Sequence, residues 1–385
     1  MRYWDFVVRS HEKMSKDFPI GEEGLRAVRF LKSFFVQMGC EQLHSNHPLN
    51  NRLRVGSTPN YMWLVQYTRK LLVASSLSGF EQISKRLGDH NEYLAANNEM
   101  EVTLKLHLEG LDVSFSGLDF QTVSDLILRI GSDTLKVEVS SLHPPDEESR
   151  IWLLNNQIFS LTSRENIASG GFMNKIPSPK TIKEVIEGVR AAIANVKKTS
   201  KMKKLNFPGV ATIYLAPSDK VDQIPKNCRR SFYLMQPHHR SIEEKIQRKI
   251  KEKSEQLFGN DEIGILFLYT QIIDRQKASQ LFGKGMDEIE VILATYPKLP
   301  GLVLTVPHLG IEVASAIKSD SLQKEFKDNK VFLESKVGEY QYESSIIWMN
   351  QHAHTSFPKE ILSALENYPS NLTKLESLHI PESYS

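Results

Sequence analysis

Two acids in the chain are spaced for metal chemistry. Asp125 stands at the start of the apolar run Leu126–Ile130, and Glu138 lies inside a second run, Leu135–Val139. Gly131-Ser132-Asp133 separates the runs, and Gly and Asp readily take the positive φ of a tight connection, so the segment reads as a β-hairpin. Side chains alternate faces along a strand. Lys136, Glu138 and Ser140 therefore share one face, and Leu135, Val137 and Val139 the other. An acid between two β-branched residues is costly to bury unless it is paired or metal-bound. Folding the hairpin would bring Asp125 beside Glu138, and two carboxylates meeting there suit a hard divalent cation, Mg²⁺ or Mn²⁺. The plainer reading is a hairpin that carries its acids on a solvent face.

The elements that must position these acids flank the hairpin. In residues 92–109 Val102, Leu104, Leu106 and Leu108 alternate like a strand, but Met100, Leu104, Leu108 and Leu111 also follow helical spacing with Gly110 as the stop, and the helix is the favoured reading. Residues 111–115 form a short strand. Farther on, residues 241–257 carry a helical stripe of Ile242, Ile246, Ile250 and Leu257, and residues 263–269 form a compact apolar strand. A rival helix and strand lie earlier. In that helix Thr181 and Glu184 make a capping-box pattern ahead of Val185, Ile186, Val189 and Ile193, and the strand is Val210–Leu215.

The run Glu99-Met-Glu101-Val102, Gly110-Leu111-Asp112-Val113, Asp125-Leu126 and Val137-Glu138-Val139 resembles the PD-(D/E)XK nuclease superfamily, the restriction-endonuclease-like fold. The resemblance covers residues 91–142 with a later helix and strand. It implies a mixed α/β core of helix, three strands, helix and strand. It implies Asp125 and Glu138 as metal ligands, with Glu99 on the first helix as a third, and metal-dependent hydrolysis of phosphodiester bonds, DNA being the expected substrate. The sequence departs from the family at Ser140, where a lysine two residues after the strand acid is usual. Lys136, on the same face as Glu138, and Lys249, on the later basic helix, are the candidate replacements. Loss of that lysine also fits a second reading, a catalytically inactive nuclease-fold module that binds nucleic acid or protein.

Outside the core, residues 1–90 read as a helical N-terminal region and 271–385 as an α/β region with a polar, loose tail. An insertion falls at about 146–235 within a core of 91–270. Residues 180–204 carry eight Lys/Arg against two Glu. Lys197, Lys198, Lys203 and Lys204, together with Arg229, Arg230 and Lys249, are the candidate nucleic-acid contacts.

The 385 residues allow two or three domains, and a formal charge of +2 neither demands nor excludes a nucleic-acid partner. Two cysteines, Cys40 and Cys228, exclude a disulfide scaffold and suit a cytoplasmic location. No uncharged apolar run approaches the roughly 20 residues of a membrane helix, so no membrane partner is expected. A homodimer is compatible with this reading. Asp119, His238-His239-Arg240 and the His352/His354 pair are weaker candidates, the last expected in a surface loop. Walker A, dinucleotide-binding and Gly-x-Ser-x-Gly patterns are absent.

Overall fold

The computed structural model describes residues 3–384 apart from 45–46, 54–55, 117–123, 143–153, 156, 159–160, 163–164, 176, 226–227, 229–231, 235–241, 258–262, 271–274, 284–287, 310–322 and 339–340. Asp119, Arg229, Arg230 and His238-His239-Arg240 therefore lie outside the described residues. Two compact units make up the chain. One joins Met1–Leu142 to Ile242–Ser385, and the other is His143–Ser241.

The first unit begins with helices α1 (Tyr3–Met14), α2 (Gly21–Gln37), α3 (Leu49–Leu53), α4 (Thr58–Ser75), α5 (Phe80–Gly88) and α6 (Tyr93–Leu108). Strands β1 (Asp112–Phe115), β2 (Leu126–Ile130) and β3 (Asp133–Leu142) follow. The second unit holds β4 (Ile167–Met173), α7 (Pro179–Thr199), β5 (Lys203–Phe207), β6 (Ala211–Pro217) and β7 (Phe232–Leu234). The chain then returns to the first unit as α8 (Ile242–Leu257), β8 (Gly264–Thr270), α9 (Arg275–Gly283) and α10 (Glu288–Ala294). It closes with β9 (Gly301–Leu309), β10 (Gln323–Lys327), β11 (Lys330–Gly338), β12 (Gln341–Met349) and α11 (Lys359–Glu376).

The first unit is mixed α/β. Its eight-stranded sheet has the order β1-β2-β3-β8-β9-β12-β11-β10, with β8 parallel to both β3 and β9 and the remaining pairs antiparallel. Alternation along β3 and β8 sorts their side chains onto two faces. Leu135, Val137, Val139, Ile265 and Phe267 point into a core that also buries Met100, Leu104 and Ile361. Leu142, Leu266, Leu268 and Leu304 point the other way, against Ile246 and Ile250. The sheet is thus covered by helices on both faces, as central strands apolar on both sides require.

The helical N-terminal region expected to end near residue 90 shares this core and forms no unit of its own. Trp4, Phe30, Phe34, Tyr61 and Leu64 are buried in the same cluster as the sheet residues and Ile380. Each fully buried Phe or Leu there contributes about 1.5–3 kcal/mol. At Gly24 a Cβ would stand 2.1 Å from the Tyr61 ring, so α2 and α4 can pack this closely only over a glycine. The tail, expected to be loose, is also packed. Ile380 is buried, the Tyr384 ring meets Phe30 and Phe34 edge-on, and Gln37 donates to the Tyr384 carbonyl at 2.6 Å. Two apolar residues in a polar stretch suffice to hold it.

In the second unit, α7 lays Val185, Val189, Ile193 and Val196 on Ile213 and Leu215 of a four-stranded sheet, β5-β6-β4-β7. The cap of α7 is Ser178, whose hydroxyl accepts from the Thr181 N–H at 3.2 Å, so the helix begins three residues before the capping-box reading placed it. This helix and β6 belong to the second unit. The strand that pairs with β3 is β8, reached through α8.

Candidate functional site

The expected hairpin forms, Leu126 opposite Val137 and Ile130 opposite Asp133, so Asp133 belongs to the strand and the connection is Gly131-Ser132, with Gly131 at φ +60°. Asp125, one residue before the paired run, falls on the Glu138 side of the sheet. Its Oδ2 accepts the Val139 N–H at 2.8 Å, which fixes the carboxylate against β3. The two acids stand close enough for each to act on the other's charge.

Glu138 lies beside Leu266 in the parallel β3–β8 pair and so faces α8. From that helix Lys253 Nζ donates to Glu138 Oε1. Glu138 is 2% exposed, and its Oε2 is buried without a hydrogen-bond partner. From the other direction α6 supplies Glu99, also 2% exposed, whose carboxylate is gripped by the Arg86 fork of α5. Nη1 donates to Oε2 at 2.7 Å and Nη2 to Oε1 at 2.8 Å.

The electrostatics show too little positive charge for the acids present. Burial, followed by repulsion from Asp125, pushes Glu138 up to about 8 despite Lys253. Burial also raises Glu99, to about 7, with the Arg86 hydrogen bonds opposing it and Asp125 adding to it. Asp125 is raised by burial as well, against the pull of the Val139 N–H, Lys253 and Arg86. Lys253 is desolvated, yet its proton is held more tightly than usual because Glu138 is beside it.

This donor set fits a hard cation. It offers oxygen only, two adjacent carboxylates, and one buried oxygen that lacks a donor. Among the described residues no group of three or more His, Cys, Asp or Glu side chains converges on one metal position. Two carboxylates are nonetheless the protein share that Mg²⁺ commonly takes, water filling the rest of its shell.

The other expected residues are dispersed. Ser140 is 9% exposed on the Glu138 face of β3, two residues on. Lys136 shares that face but is not among the leading charges that perturb Glu138. Lys249 pairs with Glu252 at 3.0 Å on its own helix. The cation on Glu138 is neither candidate but Lys253. A signal for it exists: the stripe Ile242, Ile246, Ile250, Leu257 has its next helical position at 253, and a lysine there interrupts an apolar face. Arg86 was missed without any comparable signal.

In the second unit Lys197, Lys198, Lys203 and Lys204 are all exposed. Lys197 pairs with Glu165, and Lys204 lies over the Tyr214 ring. His352 and His354 are exposed in the turns after β12. Among the described residues no helix is long and apolar enough to cross a membrane. Comparison with family models, with curated proteins and with solved structures gives no match to this chain.

Proposed function

We propose that the protein is a metal-dependent nuclease with a restriction-endonuclease-like core, hydrolysing phosphodiester bonds of DNA with Mg²⁺ or Mn²⁺ held by Asp125 and Glu138. The observation that carries this reading is the meeting at Glu138 of Asp125, at the mouth of β2, and Lys253 of α8, with one carboxylate oxygen left without a donor. The order of these elements, helix, three strands, helix and strand, supports the same core.

When bound, the cation would polarise a phosphate oxygen and lower the pKa of a water molecule. The Val139 N–H fixes one Asp125 oxygen and so holds the carboxylate against β3 beside Glu138. Lys253 takes the part of the lysine missing at Ser140. Its ammonium, held on Glu138 Oε1, keeps a positive charge beside the reacting phosphate, where negative charge grows in the transition state. The exposed lysines of α7 and β5 give the nucleic-acid backbone a screened, salt-sensitive attraction.

The test is cleavage of labelled single-stranded, duplex and branched DNA with Mg²⁺ and with Mn²⁺, beside calorimetric titration of Mn²⁺. Wild type binds Mn²⁺ and cuts, and Asp125→Ala does neither. Absence of Mn²⁺ binding by wild type would reject the nuclease. A second reading is favoured by one observation, that Arg86 and Lys253 already pair with Glu99 and Glu138. On that reading the charges are closed and the protein is a nucleic-acid-binding module. DNA binding without Mn²⁺ binding or cutting would establish it.

A further inference from the structure

Glu99 is buried, and both of its oxygens are occupied by one guanidinium. The remaining arm of that group, Arg86 Nε, donates to Glu92 Oε2 at 2.9 Å, so the fork is anchored at three points. A bidentate fork of this kind is the strongest hydrogen-bonded pairing open to a carboxylate, and it is directional. It occupies both oxygens of Glu99, whereas Glu138 Oε2 has no donor. We infer that Arg86 is a resident cation that stands on Glu99 in place of a second metal ion, so that the site takes one divalent cation, on Asp125 and Glu138, and Glu99 is no ligand to it. This rests on the nuclease reading and fixes its metal count.

The charges support a count of one. Three acids, Glu99 and Glu138 buried and Asp125 partly so, sit with two basic groups, Arg86 and Lys253. Glu92 is half exposed and its charge is screened by solvent. With all three acids ionised, the form that binds a cation, the cluster is one positive charge short. One divalent cation would leave a single positive charge in surplus, the match for a phosphodiester, which carries one negative charge. Two divalent cations would leave three.

Manganese titration followed by calorimetry, with electron paramagnetic resonance of the bound ions, tests this. Wild type is expected to bind one Mn²⁺ per chain. Arg86→Met, which uncovers Glu99, is expected to bind two, the second weaker, with the spectrum of two ions in magnetic contact. The double variant Arg86→Met/Glu99→Gln removes the pair without changing net charge. It is expected to return to one Mn²⁺ with affinity within about tenfold of wild type, the lower edge of what changes around a metal ligand cost. Should Arg86→Met fail to fold with an uncompensated buried acid, the double variant decides, because the loss of a whole buried pair is tolerated far better than the loss of half. Two Mn²⁺ on wild type would overturn the inference and leave the nuclease reading standing. So would a double variant weakened beyond that tenfold limit, since Glu99 would then be a ligand. No Mn²⁺ on wild type would overturn both.

Discussion

Helix α6 feeds two buried charge clusters, and they are built to opposite ends. Toward one end it carries Glu99 into the group with Asp125 and Glu138. Two residues on, Glu101 enters a second group with Lys70, Lys105, Glu343 and Tyr368. There Lys70 donates to both Glu101 oxygens at 2.8 Å, Tyr368 adds a third donor at 2.8 Å, and Lys105 bonds Glu343. Lys105 also lies over the Tyr269 and Tyr368 rings, 5.3 Å from each. Burial alone would raise Glu101, but Lys70 and its partners pull it below the ordinary carboxylate range. Glu138, whose side chain is 3% exposed against 18% for Glu101, is pushed up to about 8. The same fold can thus satisfy a buried acid when the acid serves only to pin α6 to α4 and α11. It leaves Glu138 undersupplied, the condition that the proposed cation site calls for.

The largest effect expected from this contrast is on stability. Lys70→Met should cost about 3–5 kcal/mol, the scale for stranding one partner of a buried pair, and should leave Mn²⁺ binding unchanged. Chemical denaturation with and without Mn²⁺ measures both. A Lys70→Met protein that unfolds normally but no longer binds Mn²⁺ would show that the two clusters are one.

Lys253→Ala should act on rate. Removing a positioned charge from the site should lower DNA cleavage by roughly 10²-fold. Adding Ser140→Lys to that variant should recover at least about tenfold of the loss, because residue 140 shares the Glu138 face of β3 and a lysine there reaches the same region. Full activity of Lys253→Ala would remove this lysine from the mechanism.

A pH series separates the clusters by sign. Glu138 and Glu99 hold their protons to about 8 and about 7 in the folded chain, against 4.5 ordinarily. Between those values the unfolded chain binds fewer protons than the folded one, so stability falls as pH rises through the window. Glu101 works the other way. Its stabilisation is complete above its unfolded value and is lost as pH falls through its lowered folded value. Thermal unfolding in EDTA should therefore show a midpoint that declines from about pH 5 to about pH 8, and Glu138→Gln should flatten the decline. A wild-type midpoint that rises across this window would contradict the charge shortage at Glu138.

What sequence could show of this site followed chain distance. The hairpin was legible because alternation and a glycine at the turn are local signals, though the strand begins at Asp133, and Asp125 stands beside β3 at Val139. The spacing of the stretch that carries Glu99 suited strand and helix alike, and the glycine stop favoured the helix that forms. Lys253 lies 115 residues from Glu138, beyond an intervening unit, and only its place in an apolar stripe marked it. Arg86 sits on α5, where nothing in residue type or spacing separates it from any solvated arginine. The Arg86–Glu99 pair exists only once α5 and α6 are packed. The three separate regions expected along the chain dissolved for a related reason: Trp4 and Ile380 reach the same core as the sheet, and no local pattern reports which core an apolar face will join.

The smallest expected effect is the one that most sharpens the assignment of Lys253. Lys249 lies one turn earlier on α8, nearly in line with Lys253, since four residues advance about 40° past a full turn. Its side chain is paired to Glu252, which is half exposed, and the Lys249 hydrogen bond holds Glu252 below the ordinary carboxylate range. A pair so placed is screened by solvent, and removing it should shift stability by no more than about 0.5 kcal/mol. If Lys253 acts as a positioned ammonium on Glu138, Lys249→Ala should leave the cleavage rate within about twofold, against the roughly 10²-fold loss for Lys253→Ala. If α8 instead works through the summed field of its basic residues, the two variants should lose comparable activity, and the loss should shrink as added salt shortens the screening length from about 10 Å at 0.1 M toward about 3 Å at 1 M. Rate measurements on both variants across that salt range decide between the two. Equal, salt-sensitive losses would return Lys253 to the company of ordinary surface lysines and leave Glu138 with a partner but no catalytic cation.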